Sequence, residues 1–205
     1  MPGVMRKNMK TQITMLSAMA ARDFHEALDR FREWGLRVVD LKDGVYGQSV
    51  EDLSPEQAER ALNALRQRGL KAYCLSTMLF LDDVEKGEEH FRKNHLEKVD
   101  RAIRVARILK PAYVRLLSAR TAERKGVLQR HPWLLDLYRE AVDRIADAGF
   151  KVTIENELPD IIWAAPEDVG EFFSALDRRG KAWFTYDVQN LWQMGTFPTL
   201  DAYRA

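Results

Sequence analysis

Apolar residues recur along the chain at two spacings that alternate. Phe24, Ala27, Leu28 and Phe31 stand at the 3.6-residue spacing of a helix, as do Ala58, Ala61, Leu62 and Leu65, and again Leu134, Leu137, Ala141 and Ile145. Between them lie short β-rich runs at 12–18, 37–42, 71–77, 112–118, 151–155 and 182–188. Gly35, Gly69, Gly149 and Gly180 each follow a helical stretch and precede a β-rich one. That is the C′ position of a helix, where a left-handed backbone costs little without a Cβ. Ser54-Pro55-Glu56-Gln57 has the form of a capping box with proline at the first helical position, and Glu167 and Asp168 after Pro166 suit another helix start. The stretch 85–110 predicts one long helix with Phe91, His95, Val99, Ala102, Ile103 and Ala106 on a common face.

The β-rich runs are too far apart for hairpins, so the alternation predicts parallel strands joined by right-handed crossovers, six βα units in all. No linker or low-complexity tract interrupts them, and residues 1–205 read as a single domain. An open doubly wound sheet for a dinucleotide would want a glycine-rich turn after its first strand, and here that turn is Ser17-Ala18-Met19-Ala20-Ala21. Polar residues gather instead at the carboxyl ends of successive strands: Asp40 and Lys42, Ser76 and Thr77, Arg115 and Ser118, Glu155 to Glu157, and Asp187. Functional groups supplied by many strand ends are the mark of an α/β barrel of the TIM type. Such a barrel typically needs about 250 residues, and the predicted sixth helix is still running at Ala205. The expectation is therefore a barrel truncated after about six βα units, incomplete at its carboxyl end and belonging to a longer parent.

Composition narrows the function more than the fold. With 46% hydrophobic and 31% charged residues the chain can bury a core. Its 32 Lys and Arg nearly cancel 31 Asp and Glu, and a net charge of +1 provides no field to gather nucleic acid or an anionic membrane. The lone Cys74 sits among Ala72, Tyr73 and Leu75, as an inert buried thiol does, which suits a reducing cytoplasm. Residues 13–20 behind Arg6, Lys7 and Lys10 mimic a short signal peptide, but Thr14 and Ser17 break the apolar run and the βα repeat claims it as a strand. No apolar stretch approaches membrane-spanning length.

The candidate chemistry sits at two neighbouring strand ends. Val152-Thr153-Ile154-Glu155-Asn156-Glu157 puts a carboxylate at one, and Phe184-Thr185-Tyr186-Asp187 does so at the next. Adjacent strands lie about 4.8 Å apart, so the two carboxylates could share a divalent cation. The plainer alternative is that Glu155 and Asp187 cap helices or pair with Lys42 and Arg115. Asp40, Lys42 and Arg115 suit substrate oxygens or, equally, an ion-pair network inside the barrel. Trp133, Trp163 and Trp192 near the loops could stack on a sugar ring, though such residues more often pack a loop onto the core. Arg120, Arg124, Lys125 and Arg130 form a basic loop that suits an anionic substrate group or plain solvation. Of the histidines, His25, His90 and His95 fall in predicted helices and His131 in a loop, so none ends a strand.

Ile154-Glu155-Asn156, followed some thirty residues later by Tyr186-Asp187-Val188, resembles the metal-binding strand ends of the xylose-isomerase-like barrel superfamily. Trp34-Gly35-Leu36-Arg37-Val38-Val39-Asp40-Leu41 is similar to that family's second strand, and Gly69-Leu70-Lys71 to the entry of its third. The resemblance implies a divalent-metal-dependent isomerase or epimerase of a sugar or sugar phosphate, with Mn²⁺ or Mg²⁺ favoured and Co²⁺ or Zn²⁺ as alternatives. It implies Glu155 and Asp187 as metal ligands, Glu155 and Lys42 as catalytic groups, and Asp40, Arg115, Asn190 and Trp192 as substrate-binding groups. A small carbohydrate is then the partner, without nucleic acid or membrane, and a homo-oligomer is compatible. Asn190 stands where the family often has histidine, and the ligands expected of a seventh and an eighth strand have no counterpart. An endonuclease IV-like repair enzyme is the alternative of the same fold, disfavoured by the absence of strand-end histidines. A barrel-derived protein without catalysis is the third.

Overall fold

A computed structural model describes residues 11–158, 160–163 and 165–193. Five strands form one wholly parallel sheet in the order of the chain: β1 (Val38–Leu41), β2 (Lys71–Ser76), β3 (Tyr113–Leu117), β4 (Lys151–Glu155) and β5 (Ala182–Thr185). Helices α1 (Ser17–Ala20) and α2 (Phe24–Glu33) precede β1, and α3 (Pro55–Gln67) joins β1 to β2. From β2 the chain passes through α4 (Glu88–Phe91), a π-helical turn (Arg92–Leu96) and α5 (Glu97–Leu109). Helices α6 (Val127–Arg130) and α7 (Trp133–Asp147) lead to β4, α8 (Pro166–Leu176) leads to β5, and α9 (Val188–Gln193) comes after it. A doubly wound sheet reverses its strand order at a switch point; this sheet does not, and sequential order is that of a barrel.

The helix-facing side of the sheet is apolar throughout. Val39, Leu41, Leu75, Val114, Leu116, Val152 and Ile154 are fully buried in one core with the stripes that the spacing predicted, including Leu28 and Phe31 of α2, Ala61 and Leu65 of α3, and Leu137, Ala141 and Ile145 of α7. Each large side chain so buried contributes roughly 1.5–3 kcal/mol. The capping box at Ser54 is formed, with Ser54 Oγ accepting the Gln57 N–H and Gln57 Oε1 accepting the Ser54 N–H. Gly69 (φ +68°) ends α3: its N–H reaches the Arg66 carbonyl while the Leu70 N–H reaches that of Leu65, the paired bonds of a Schellman turn.

Three expectations need correction. The run at 12–18 is not a strand but extended chain with one bridge, Leu16 to Asp40, because helix α1 begins at Ser17 and alanine-containing Ser17–Ala20 favours a helical turn. Among the described residues there are thus five strands rather than six, with the Leu16 bridge in place of the first expected strand. The run at 182–188 stops as a strand at Thr185, since Val188 already starts α9. The long helix at 85–110 is broken: Gly87 at φ +86° separates a 3-10 turn (Val84–Lys86) from α4, and the π turn separates α4 from α5. No helix of the described residues is long and apolar enough to cross a membrane.

Candidate active site

The parallel register sets Glu155 of β4 between Leu117 of β3 and Thr185 of β5. Its side chain is buried, and Oε2 accepts a hydrogen bond from Arg115 Nη1 at 2.5 Å. Arg115, also buried, gives Nη2 to the Thr77 carbonyl at 3.2 Å, and Thr77 Oγ1 donates to the Arg115 carbonyl at 2.6 Å. The guanidinium is thereby pinned between the ends of β2 and β4. Burial pushes the Glu155 carboxyl above its ordinary value; Arg115 pulls it down, while Glu157 and Asp187 add to the rise. The acidic groups at the ends of β4 and β5 therefore feel one another's charge.

An asparagine clasp joins these two ends. Asn156, fully buried, donates from Nδ2 to the Asp187 carbonyl at 2.9 Å and accepts the Asp187 N–H on Oδ1 at 2.9 Å. Asp187 Oδ1 in turn accepts the Asn190 N–H at 2.9 Å, capping α9. Asn190 Nδ2 closes the ring on the Asn156 carbonyl at 2.8 Å and reaches Glu157 Oε1 at 3.4 Å. The Asn156 side chain, present in the motif but assigned no part there, does the joining.

Asp40 receives the Ser76 hydroxyl on Oδ1 at 2.5 Å. Burial raises its carboxyl, opposed by Ser76 and by the fields of Arg115 and Lys42. Lys42 is half-buried just beyond β1, and among the described residues its side chain acts on this group only through that field. Trp192 stands 64% exposed on α9, whereas Trp163 is packed on Phe172, Phe173 and Phe184, as a loop-anchoring indole would be. The basic loop holds main-chain oxygens: Arg120 donates to Leu158, Arg124 to Ile161, and Arg130 to Glu123 and Lys125. Two residues upstream of the acidic ends, Thr153 and Thr185 share a hydroxyl hydrogen bond and, with Thr14, Asp40, Cys74 and Tyr113, help line a cavity of about 420 Å³ inside the curve of the sheet.

A divalent cation would find part of a ligand set here. Among the described residues Glu155 Oε1 and Asp187 Oδ2 accept no hydrogen bond, so each carboxylate keeps one oxygen to offer, and an ion between them would relieve their mutual repulsion. By donor chemistry, two carboxylate oxygens suit a hard cation. No third histidine, cysteine or carboxylate among the described residues joins them at ligand spacing. The described group that does have such spacing is elsewhere: Asp82, His90 and His95, in the loop after β2 and the helices beyond it. Sequence spacing hid this trio, because the histidines are five residues apart and only the π turn brings them to one side.

The sequence profile described as "Xylose isomerase-like TIM barrel" matches residues 28–205. Among curated proteins, none matches the chain. Solved structures share its fold at low identity. The probable 3-DHS dehydratase AsbF of Bacillus anthracis, involved in petrobactin synthesis, superposes with a TM-score of 0.72 at 16% identity, over 95% of this chain and 69% of that one. A sugar phosphate isomerase/epimerase from Parabacteroides distasonis gives 0.64 at 14% identity, covering 95% and 74%. A xylose isomerase-like TIM barrel protein from Mycobacterium smegmatis, in complex with magnesium, gives 0.62 at 20% identity, covering 82% of this chain and 57% of that one. The chain thus spans only part of each neighbour's length, less than two thirds of the magnesium complex. Likeness at this identity establishes a common fold.

Proposed function

Because the chain belongs to the xylose isomerase-like TIM barrel family, we propose that its strand ends serve a divalent-metal-dependent isomerase or epimerase of a small sugar or sugar phosphate. The reaction is abstraction of a proton next to a carbonyl, then its return to another carbon or the opposite face. One observation supports this above the others: a buried carboxyl, Glu155, is paired with Arg115 and sits within the field of Asp187 on the adjacent strand.

Glu155 and Asp187 would hold the ion, with Mn²⁺ or Mg²⁺ favoured by oxygen-rich ligation. Such an ion supplies Lewis-acid polarisation of the substrate carbonyl when bound. Glu155 is assigned the base in this reading, its carboxyl pushed above the ordinary carboxylate value by burial. Arg115 keeps that carboxylate oriented and can neutralise charge on a substrate oxygen. Asn190 offers a hydroxyl partner that does not titrate, while Asp40 and Lys42 are assigned to more distant substrate oxygens and Trp192 to the ring face. A carbohydrate substrate and a cytoplasmic setting belong to this reading, the latter suited by the buried free thiol of Cys74.

The test is a panel of aldose–ketose and epimer pairs with added Mn²⁺, assayed on this chain and on any longer product of its gene. Turnover should fall by roughly 10²–10⁴-fold in Glu155→Gln, the usual worth of a general base. Undiminished conversion by that variant would refute the assigned role. Cleavage of abasic DNA would favour the repair-nuclease reading, which a net charge of +1 and the absence of strand-end histidines among the described residues disfavour.

A further inference from the structure

The loop after β2, residues 77–87, carries a strained point at Phe80. Phe80 has φ +73°, an uncommon conformation for an aromatic residue. Its N–H is accepted by His95 Nδ1 at 3.0 Å, and its ring stacks between those of His95 and Tyr138, with centroids 5.9 and 4.1 Å away. Beyond Phe80 the loop is tied to the one after β3: the Arg120 N–H donates to the Asp82 carbonyl at 2.8 Å, and the Val84 N–H to that of Arg120 at 2.9 Å. His95 lies in the π turn, a form concentrated at functional positions.

Asp82, His90 and His95 have the composition of a metal site, and their ligand atoms lie within 4.8 Å of one another. Their hydrogen bonds assign the rings differently. His95 Nδ1 accepts the Phe80 N–H, and His90 Nδ1 faces the Asn94 Nδ2 amide at 3.2 Å, which also donates to the His90 carbonyl at 3.0 Å. A neutral ring that accepts at Nδ1 carries its hydrogen on Nε2, whereas a ring that binds a metal through Nε2 needs that hydrogen on Nδ1 with an acceptor beyond it. Both Nε2 atoms instead lie toward Asp82 Oδ2, at 2.7 Å from His90 and 3.5 Å from His95. Oδ1 takes the Lys86 ammonium at 2.6 Å and the Asp83 N–H at 2.8 Å. Asp82 is thus a carboxylate hub whose donors are Lys86, His90 and the Asp83 N–H, while the buried His95 Nε2 makes no hydrogen bond among the described residues. Partial burial works against its ionisation, yet Lys86, His90 and the Asp83 N–H hold the carboxyl well below the usual range.

We propose that His95 is a proton-operated latch on this loop. Neutral, it holds the Phe80 N–H and keeps 77–87 seated. Protonated at Nδ1, it has no lone pair for that N–H and releases the loop at Phe80, two residues before the Asp82 that helps line a cavity of about 320 Å³ with Lys86, Arg120, Thr121 and Asp160. The groups around the ring set the threshold. Its side chain is 10% exposed, and this burial lowers it to about 4; Asp82 favours the charged ring, while Lys98 on α5 and His90 on α4 oppose it. Lys86 is held by Asp82, and Glu140 on α7 by Arg92 and Arg144. Tyr138 on α7 is neutral, its hydroxyl donating to the Leu117 carbonyl at 2.7 Å.

The experiment is amide hydrogen exchange by NMR on the full chain at pH 7 and pH 4, corrected for intrinsic exchange rates. A latch that binds its proton at 6.5 when open and at about 4 when closed should lose about a hundredfold in protection at Phe80 between these pH values, while Val114 and Leu116 of β3, which exchange through global unfolding, remain better protected than Phe80 at both. His95→Asn keeps an acceptor near the Nδ1 position but cannot titrate, and should keep Phe80 protected at both. Unchanged wild-type protection, or the same acid loss in the asparagine variant, overturns the proposal. Ring ¹⁵N shifts of the wild type provide a reading that needs no variant: they should report an Nε2–H tautomer for His95 that titrates well below 6.5. An Nδ1–H tautomer, or stoichiometric Zn²⁺ shifting both His90 and His95, would also overturn it.

Discussion

Arg115 and Glu155 form an ion pair buried in the interior. Breaking a buried ion pair from one side leaves an uncompensated charge, which costs about 3–5 kcal/mol. Arg115→Met should lose that much in urea unfolding, whereas an Arg115→Met, Glu155→Met double variant should recover most of it, having no charge left to bury. Glu155 sets the sign with pH: its buried carboxyl favours the protonated form, so stability tied to that proton is present below its ordinary 4.5 and is lost as pH rises through the higher folded value. The Arg115→Met deficit should therefore grow with pH above 4.5. Glu155, Arg115, Asp187 and Asn190 were visible in the sequence because strand ends on a parallel sheet must meet. Their partners were less visible: the plainer alternative, Glu155 on Arg115 and Asp187 as a helix cap, is the pairing observed, beside one oxygen on each carboxylate that is unbonded among the described residues. Among the described residues, Lys42 and Trp192 have no hydrogen bond across the strand ends and stand outside that group.

At the scale of elements, helices with marked ends were legible and interrupted ones were not. Ser54 and Pro55 start α3 and Gly69 ends it, so side-chain chemistry alone bounds the element. The stretch 85–110 carries an apolar face that remains buried through Phe91, Val99, Ala102 and Ala106, but periodicity cannot register an extra residue per turn, and the π turn passed as helix. That inserted turn carries a pH cost. The unfolded ring binds a proton at 6.5 and the folded one only at about 4, so acid favours the unfolded chain. Stability should fall by up to about 3 kcal/mol as pH drops through that window, at 1.36 kcal/mol per pKa unit. Urea midpoints measured at several pH values should show the fall in wild type and a flatter profile in His95→Asn.

For the molecule as a whole, alternation of two hydrophobic periods was enough to predict parallel strands joined by crossovers, and the polar strand ends, with no glycine-rich turn after the first run, favoured a barrel over a doubly wound sheet. The sequential order of all five strands bears this out, and the family match over residues 28–205 agrees. The first run failed because a short apolar stretch does not separate strand from helical turn, and one bridge at Leu16 is what it forms. Function depends on a narrower point, that β4 and β5 deliver two carboxylates to one ion. Paramagnetic broadening by substoichiometric Mn²⁺ tests it directly. The amides of 155–157 and 187–190 should broaden first, and the effect should vanish in a Glu155→Gln, Asp187→Asn double variant. Broadening centred on Asp82 and His90, or broadening at 155–157 that persists in the double variant, would contradict the account.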